Sequence, residues 1–143
     1  VGAVLADGPA AGLFTPGSHG TTFGGNPLAM RAALTTLEVM ARDGLVAHAG
    51  ALGEKLKASL TAALAGTPGF VEVRGRGLML GIVLDRPAGA LVKQALDAGL
   101  VINVTADAVV RLLPALIFTE AEADELVQRL VPLIRAFLQA PAS

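Results

Sequence analysis

Apolar residues recur at helical spacing in two segments of the first half of the chain, which predicts two helices. Asn26 can cap a helix and Pro27 fits its first turn, where the missing N–H costs nothing. The apolar period continues to Met40, and Gly44 supplies a stop. A second helix is expected over about residues 46–65, with leucines on one stripe at positions 52, 56, 60 and 64. A turn at 66–69 ends it.

Two further helices are predicted in the second half. One begins at Pro87 and ends near Gly99. The other opens with a capping box at Thr119–Glu122 and keeps the 3.6-residue period as far as Phe137. Pro132 falls inside this last helix, where it is expected to kink or split it.

Short apolar runs between these helices predict four strands. They are Phe70–Arg74, half-buried; Leu78–Leu84, nearly all apolar and central; and two more, near Leu100–Val104 and Val109–Leu113, joined by a turn at 106–107. The order of elements is typical of a small α/β sandwich with short connections and no internal repeat. Val1–Ala6 also has strand character, and the start at Val1 is interpreted as the cut edge of a longer polypeptide.

The chain is therefore expected to fall into three parts. Residues 1–26 are predicted to be the remnant of a preceding domain, 27–45 a linking helix, and 46–143 a compact α/β domain. For a chain of 143 residues, the hydrophobic share of 53% is high and the charged share of 16% is low. That imbalance indicates apolar surface covered by a partner subunit or a missing domain.

Composition also excludes several classes of function. The net charge of −1 and the absence of Trp and Tyr argue against nucleic acid as a partner. No apolar run reaches the roughly 20 residues of a membrane span. Without cysteine, and with only His19 and His48, no metal site is expected. These properties are typical of a cytoplasmic protein.

The segment from Pro16 to Pro27 combines four glycines with three hydroxyl side chains and a histidine. Glycine permits backbone angles and close approaches that a side chain would block, and such a loop can direct several N–H and O–H donors at one anion. The segment therefore predicts a phosphate-binding loop. Taken alone, it is also compatible with an ordinary surface loop before a capped helix.

Four stretches, in order along the chain, carry a resemblance to a known family: residues 1–17, His19–Ala29, Val73–Gly81 and Arg111–Leu116. They resemble the class III, fold-type I aminotransferases that depend on pyridoxal phosphate, and within them the acetylornithine/succinylornithine group. The resemblance implies that the α/β domain is the carboxy-terminal small domain of such a transferase. It also implies that residues 1–26 are a remnant of the large cofactor-binding domain, including the phosphate-contacting loop.

The same resemblance assigns roles to three residues. Thr21 and Thr22 would hold the phosphate of a cofactor bound by the other subunit of a homodimer, with Thr21 in place of the family's commoner serine. Arg111 would pair with the α-carboxylate of glutamate or 2-oxoglutarate through its guanidinium fork. For a lone arginine on an alternating strand, an orientation toward solvent without a ligand is the alternative.

The family's cofactor-bearing lysine would fall just upstream of Val1, so no catalytic residue is expected in this chain and the chain alone is expected to be inactive. The implied reaction moves the amino group of N-acetylornithine to 2-oxoglutarate in arginine biosynthesis. Succinylornithine, ornithine and 4-aminobutyrate aminotransferases remain open, as does a non-catalytic α/β binding module. The segment Arg74–Gly77 is interpreted as a bulge or tight strand connection, with structural ion pairs at its arginines.

Overall fold

A computed structural model describes residues 2 and 4–140 of the chain. The chain consists of two compact units, with the boundary between Asp43 and Gly44. The finer division into residues 1–26, 27–45 and 46–143 stays a prediction.

The first unit contains a short 3₁₀ helix, Gly8–Gly12, and helix α1, Pro27–Arg42. The predicted start of α1 is confirmed, because the Asn26 side chain accepts a hydrogen bond from the N–H of Ala29 at 2.9 Å. No residue of α1 is buried. The strand predicted at Val1–Ala6 is not formed at Gly2 or over 4–6, the described part of that stretch, while residues 1 and 3 lie outside it. An extended segment becomes a strand only where a neighbour pairs its N–H and C=O groups.

The second unit begins with α2, Leu45–Leu64. Its predicted leucine stripe is confirmed: the four leucines at 52, 56, 60 and 64 are all at most 3% exposed. They face a four-stranded antiparallel sheet, which agrees with the predicted α/β class.

The sheet has the order β1-β2-β4-β3, with these bounds: β1 Phe70–Arg76, β2 Met79–Leu84, β3 Asn103–Thr105 and β4 Val109–Leu112. The central place predicted for the apolar second strand is confirmed. Gly77 and Leu78 form the tight β1–β2 connection, which confirms that interpretation of the glycine-rich segment.

The third strand is shorter than the predicted Leu100–Val104. The N–H of Leu100 bonds to the carbonyl of Ala95 at 2.8 Å, which closes the preceding helix and leaves pairing to begin at Asn103. That helix, α3, spans Gly89–Asp97. It begins two residues later than predicted from Pro87, because Ala88 keeps a non-helical backbone and donates its N–H to the carbonyl of Asp107.

Helix α4, Glu120–Gln139, completes the unit. Both hydrogen bonds of its predicted capping box are present. The prediction that Pro132 splits it is wrong, since the helix continues through the proline. Pro132 and Gln128, whose carbonyl loses its helical partner, are both exposed, so water can satisfy the freed carbonyl. None of the helices in the described part of the chain is both long and apolar enough to cross a membrane.

Candidate functional site

The glycine-rich loop of the first unit is organised by its own polar side chains. Ser18 accepts a hydrogen bond from the N–H of Thr15 at 3.0 Å and donates its hydroxyl to the carbonyl of the same residue at 2.7 Å. Farther along, the Asn26 amide donates to the carbonyl of Phe23 at 2.7 Å while its oxygen caps α1. The loop therefore has a defined turn at each end.

Thr21 and Thr22 lie between these two turns and are both exposed. None of the hydrogen bonds that order the described loop uses either hydroxyl. A Cβ atom on Gly24 would lie 2.3 Å from the Thr21 Cγ2, so a side chain there would force the exposed Thr21 side chain to move. Gly25 adopts a φ of +73°, which side chains disfavour. Two hydroxyl donors on a glycine-permissive backbone can hold a phosphate.

His19 is placed by a packing contact within the described loop. Its ring packs at an interplanar angle of 81° against Phe14, with 4.9 Å between the ring centroids. An edge-to-face pair of this kind is a packing contact. His48 lies in the second unit, on α2, where its Nε2 and the carbonyl oxygen of Phe118 are 2.8 Å apart. It is a half-buried polar group with a hydrogen-bond partner.

Arg111 lies on β4 in the second unit, where its neighbours Val110 and Leu112 face the core. Alternation along the strand turns the Arg111 side chain to the opposite, exposed face of the sheet. Its cross-strand partner there is Gly81, which has no side chain to cover it. An arginine in this setting can receive a carboxylate.

Two cavities of the second unit meet at Arg111. One has a volume of about 430 Å³ and lies between the end of the sheet and α4, with Glu122, Glu125 and Arg129 on its wall. The other, of about 330 Å³, lies over the exposed face of the sheet and is lined by Arg74 and Arg76 as well. The second cavity presents three cationic side chains to one space.

The ion pairs predicted at these two arginines are barely formed. Arg74 lies 3.7 Å from the Glu72 carboxylate, and both side chains are more than half exposed. Within the part of the chain that the structure describes, Arg76 has no salt bridge. The signal missed in the sequence is their spacing: two arginines two residues apart on a strand share one face.

The family model of class III aminotransferases matches residues 1–134. The chain belongs to the class III aminotransferases. Members of this family are pyridoxal-phosphate enzymes, which confirms the predicted cofactor class.

Curated relatives of this aminotransferase chain have more specific names. "Acetylornithine aminotransferase 1" of Bordetella bronchiseptica is 59% identical over 138 residues, which are 96% of this chain and 35% of the relative. Acetylornithine aminotransferase of Mycobacterium tuberculosis is 48% identical over 142 residues, 99% of this chain and 35% of the relative. The chain thus spans about a third of the length of these relatives.

Solved structures give the same family. An ornithine delta-aminotransferase of Plasmodium falciparum superposes with a TM-score of 0.79 at 30% identity, covering 90% of this chain and 34% of that one. N-acetylornithine aminotransferase of Stenotrophomonas maltophilia gives a TM-score of 0.72 at 35% identity, covering 80% and 33%.

The lysines of this class III chain occupy helix surfaces. Lys55 pairs with Glu120 at 2.6 Å, and Lys93 pairs with Asp97 four residues along α3 at 2.6 Å. Lys57 lies on α2. The glycine-rich loop offers the kind of hydroxyl groups that would hold the phosphate of the family's cofactor, whereas Lys55 and Lys93 are in exposed ion pairs. Thr21 and Thr22 lie in the first unit and Arg111 in the second, and each belongs to the site of its own unit.

Proposed function

We propose that this chain is the carboxy-terminal portion of an aminotransferase that passes the amino group of N-acetylornithine to 2-oxoglutarate in arginine biosynthesis. The observation that supports N-acetylornithine as the amino donor is the 59% identity, over nearly the whole chain, to a relative named acetylornithine aminotransferase. The coverage of about a third of that relative supports a portion of a longer enzyme. A cytoplasmic location stays a prediction.

The proposed role of the first unit is to hold the cofactor phosphate. Thr21 and Thr22 donate their hydroxyl groups to phosphate oxygens, and the glycines beside them let the backbone come close. The loop acts across the interface of a homodimer, on the cofactor bound by the neighbouring subunit. The exposed α1, which buries no residue, supports a covering partner or domain. When bound, the cofactor withdraws electrons from the carbon that carries the amino group.

The proposed role of the second unit is to orient the substrate. The Arg111 guanidinium takes the carboxylate of glutamate or 2-oxoglutarate in two parallel hydrogen bonds. Its place on a strand whose neighbouring residues are buried fixes the face of the sheet from which the side chain projects, so the fork can orient the reacting end of the substrate.

The cofactor-bearing lysine is proposed to lie upstream of Val1. The positions of the three lysines support this placement: Lys55 and Lys93 are in ion pairs on helix surfaces, and Lys57 lies on α2, outside the glycine-rich loop and the cavities at Arg111. The 143-residue chain is therefore proposed to be inactive alone. The place of the lysine is tested by the absorbance of the isolated chain after incubation with pyridoxal phosphate and removal of the free cofactor. No bound cofactor is expected to remain, and a stoichiometric covalent adduct would contradict a lysine upstream of Val1.

Arg111→Ala in the full-length enzyme tests the substrate role. The Michaelis constant for 2-oxoglutarate is expected to rise at least about tenfold, since removing one partner of a hydrogen-bonded charge pair costs several kcal/mol. Arg111→Lys keeps the charge without the fork, and its Michaelis constant is expected to lie between those of the parent enzyme and Arg111→Ala. An unchanged constant in Arg111→Ala removes this residue from the site.

Ornithine is the second candidate amino donor, because solved structures with a TM-score of 0.79 are ornithine aminotransferases. Succinylornithine and 4-aminobutyrate, the amino donors of other class III aminotransferases, are the remaining candidates. The kcat/KM of the full-length enzyme for these four amino donors, with 2-oxoglutarate as acceptor, separates them. The highest value is expected for N-acetylornithine, and a higher value for any other donor replaces it. Family membership favours an enzyme over a non-catalytic binding module.

A further inference from the structure

One row of residues crosses all four strands on the exposed face of the sheet. In register these residues are Arg74, Gly81, Arg111 and Asn103. Residues directly opposite one another in antiparallel strands project on the same side. Arg74 and Arg111 are therefore separated by a single strand, about 10 Å between their Cα atoms at the usual strand spacing.

The residue between the two arginines is a glycine, which leaves the space above it open. A Cβ atom on Gly81 would lie 2.9 Å from Val109 Cγ1 and 4.0 Å from Arg74 Cγ, so a side chain there would enter the same space. The cavity of about 330 Å³ over this part of the sheet is lined by Arg74, Gly81 and Arg111. Two long guanidinium side chains can close on one anion across this gap.

The charges that face this space favour an anion. Arg74, Arg76 and Arg111 line it, and Glu72 is the acidic group beside them on β1. The separation of 3.7 Å between Glu72 and Arg74 is too long for a hydrogen bond, and exposed pairs of this kind contribute little. The Arg74 guanidinium can therefore bind a second carboxylate.

We propose that Arg74 and Arg111 form a two-arginine clamp over Gly81 that binds one carboxylate of the oxo-acid substrate. The clamp rests on the proposed function, in which Arg111 alone was given this carboxylate. A carboxylate has about four acceptor positions on two oxygens, enough for two guanidinium forks. Arg74 is thus a substrate-binding residue, and Gly81 sets the room between the two forks.

The test uses the full-length enzyme with Arg74→Ala and Gly81→Ala. Both are expected to raise the Michaelis constant for 2-oxoglutarate about tenfold while kcat changes less than about twofold, because a binding contact is lost or obstructed. Calorimetric titration with glutarate, a dicarboxylate that does not react, is expected to show the same loss of affinity. Lys93→Ala is the control, because it removes a positive charge from an exposed ion pair on α3, outside this cavity, and it is expected to stay within about twofold.

The outcomes separate the clamp from the function beneath it. If Arg111→Ala weakens 2-oxoglutarate and Arg74→Ala does not, the clamp is wrong and the proposed function stands. If Arg111→Ala has no effect either, the substrate role proposed for Arg111 fails as well, whereas the choice of amino donor is decided separately by the kcat/KM values. An equal effect of Lys93→Ala also overturns the clamp, because it shows a general field of positive charge. Arg74→Gln, which keeps a polar side chain of similar length, gives the same comparison if Arg74→Ala does not fold.

Discussion

A Cβ atom on Gly53 would lie 2.1 Å from the carbonyl oxygen of Gly77, so these two glycines bring α2 into backbone contact with the β1–β2 turn. Gly53 is buried, and the atoms opposite it are main-chain atoms that cannot rotate away. The contact ties the helix that carries the leucine stripe to the hairpin that carries Arg74. Any side chain at Gly53 must push the helix and the turn apart.

Gly53→Ala is therefore expected to destabilise the chain by about 1–3 kcal/mol, the usual cost of overpacking a well-packed contact. The free energy of unfolding from urea denaturation measures it. Gly50→Ala is the matched control on the same helix, where an added Cβ meets nothing within 4 Å. It is expected to stabilise α2 by up to about 1 kcal/mol through helix propensity. Equal effects of the two substitutions would contradict the close contact.

The Gly53–Gly77 contact shows which part of the fold sequence patterns can predict. The leucine stripe of α2 and the Asn26 cap follow from local spacing, because each depends on residues a few positions apart. A backbone approach between residues 53 and 77 leaves no periodic trace. The start of β3 was missed for a similar reason, since the bond from Leu100 to Ala95 competes with strand pairing.

Of the candidate site, too, sequence patterns could predict one part and not another. The exposure of Arg111 follows from alternation along β4, so its availability for a ligand could be predicted from the sequence. The row that joins Arg74 to Arg111 through Gly81 depends on the register of three strands. Register is set by turn geometry and by which face is buried, and a strand pattern alone does not show it.

Glu122 gives α4 a dependence of stability on pH. The backbone N–H of Thr119 donates to the Glu122 carboxylate at 2.7 Å, and together with the Thr119 hydroxyl it holds the pKa of that carboxyl below its ordinary value of 4.5. A lowered pKa in the folded state means stability that is fully present above pH 4.5 and is lost as the pH falls through the folded-state pKa.

Glu122→Gln is expected to be less stable than the parent near neutral pH, and the difference in unfolding free energy is expected to shrink at acidic pH. Urea denaturation across a pH series measures this difference. Glu54→Gln removes the same charge from an exposed position on α2 and corrects for changes in net charge. A difference for Glu122→Gln that stays constant with pH would mean that the capping carboxylate does not contribute through its ionisation.

Pro132 interrupts the hydrogen bonding of α4 on its exposed side. Pro132→Ala restores an N–H that can reach the carbonyl of Gln128, and is expected to stabilise the chain by about 2 kcal/mol after the greater freedom of the unfolded chain is subtracted. Thermal unfolding measures the gain. Pro68→Ala, in the exposed turn before β1, is the control and is expected to be slightly destabilising. A lower midpoint for Pro132→Ala would show that the proline stabilises the helix.

Thr22 is expected to bind the cofactor through its hydroxyl group in the full-length enzyme. Thr22→Val keeps the shape of the side chain and removes the hydroxyl, so the dissociation constant of pyridoxal phosphate is expected to rise about tenfold or more, the usual effect of losing a hydrogen bond to a charged group. Thr22→Ser is expected to restore most of the affinity. Thr36→Val is the control, because that hydroxyl bonds to the carbonyl of Ala32 within α1. Fluorescence titration of the cofactor-free enzyme measures all three, and an unaltered constant for Thr22→Val would remove Thr22 from the phosphate site.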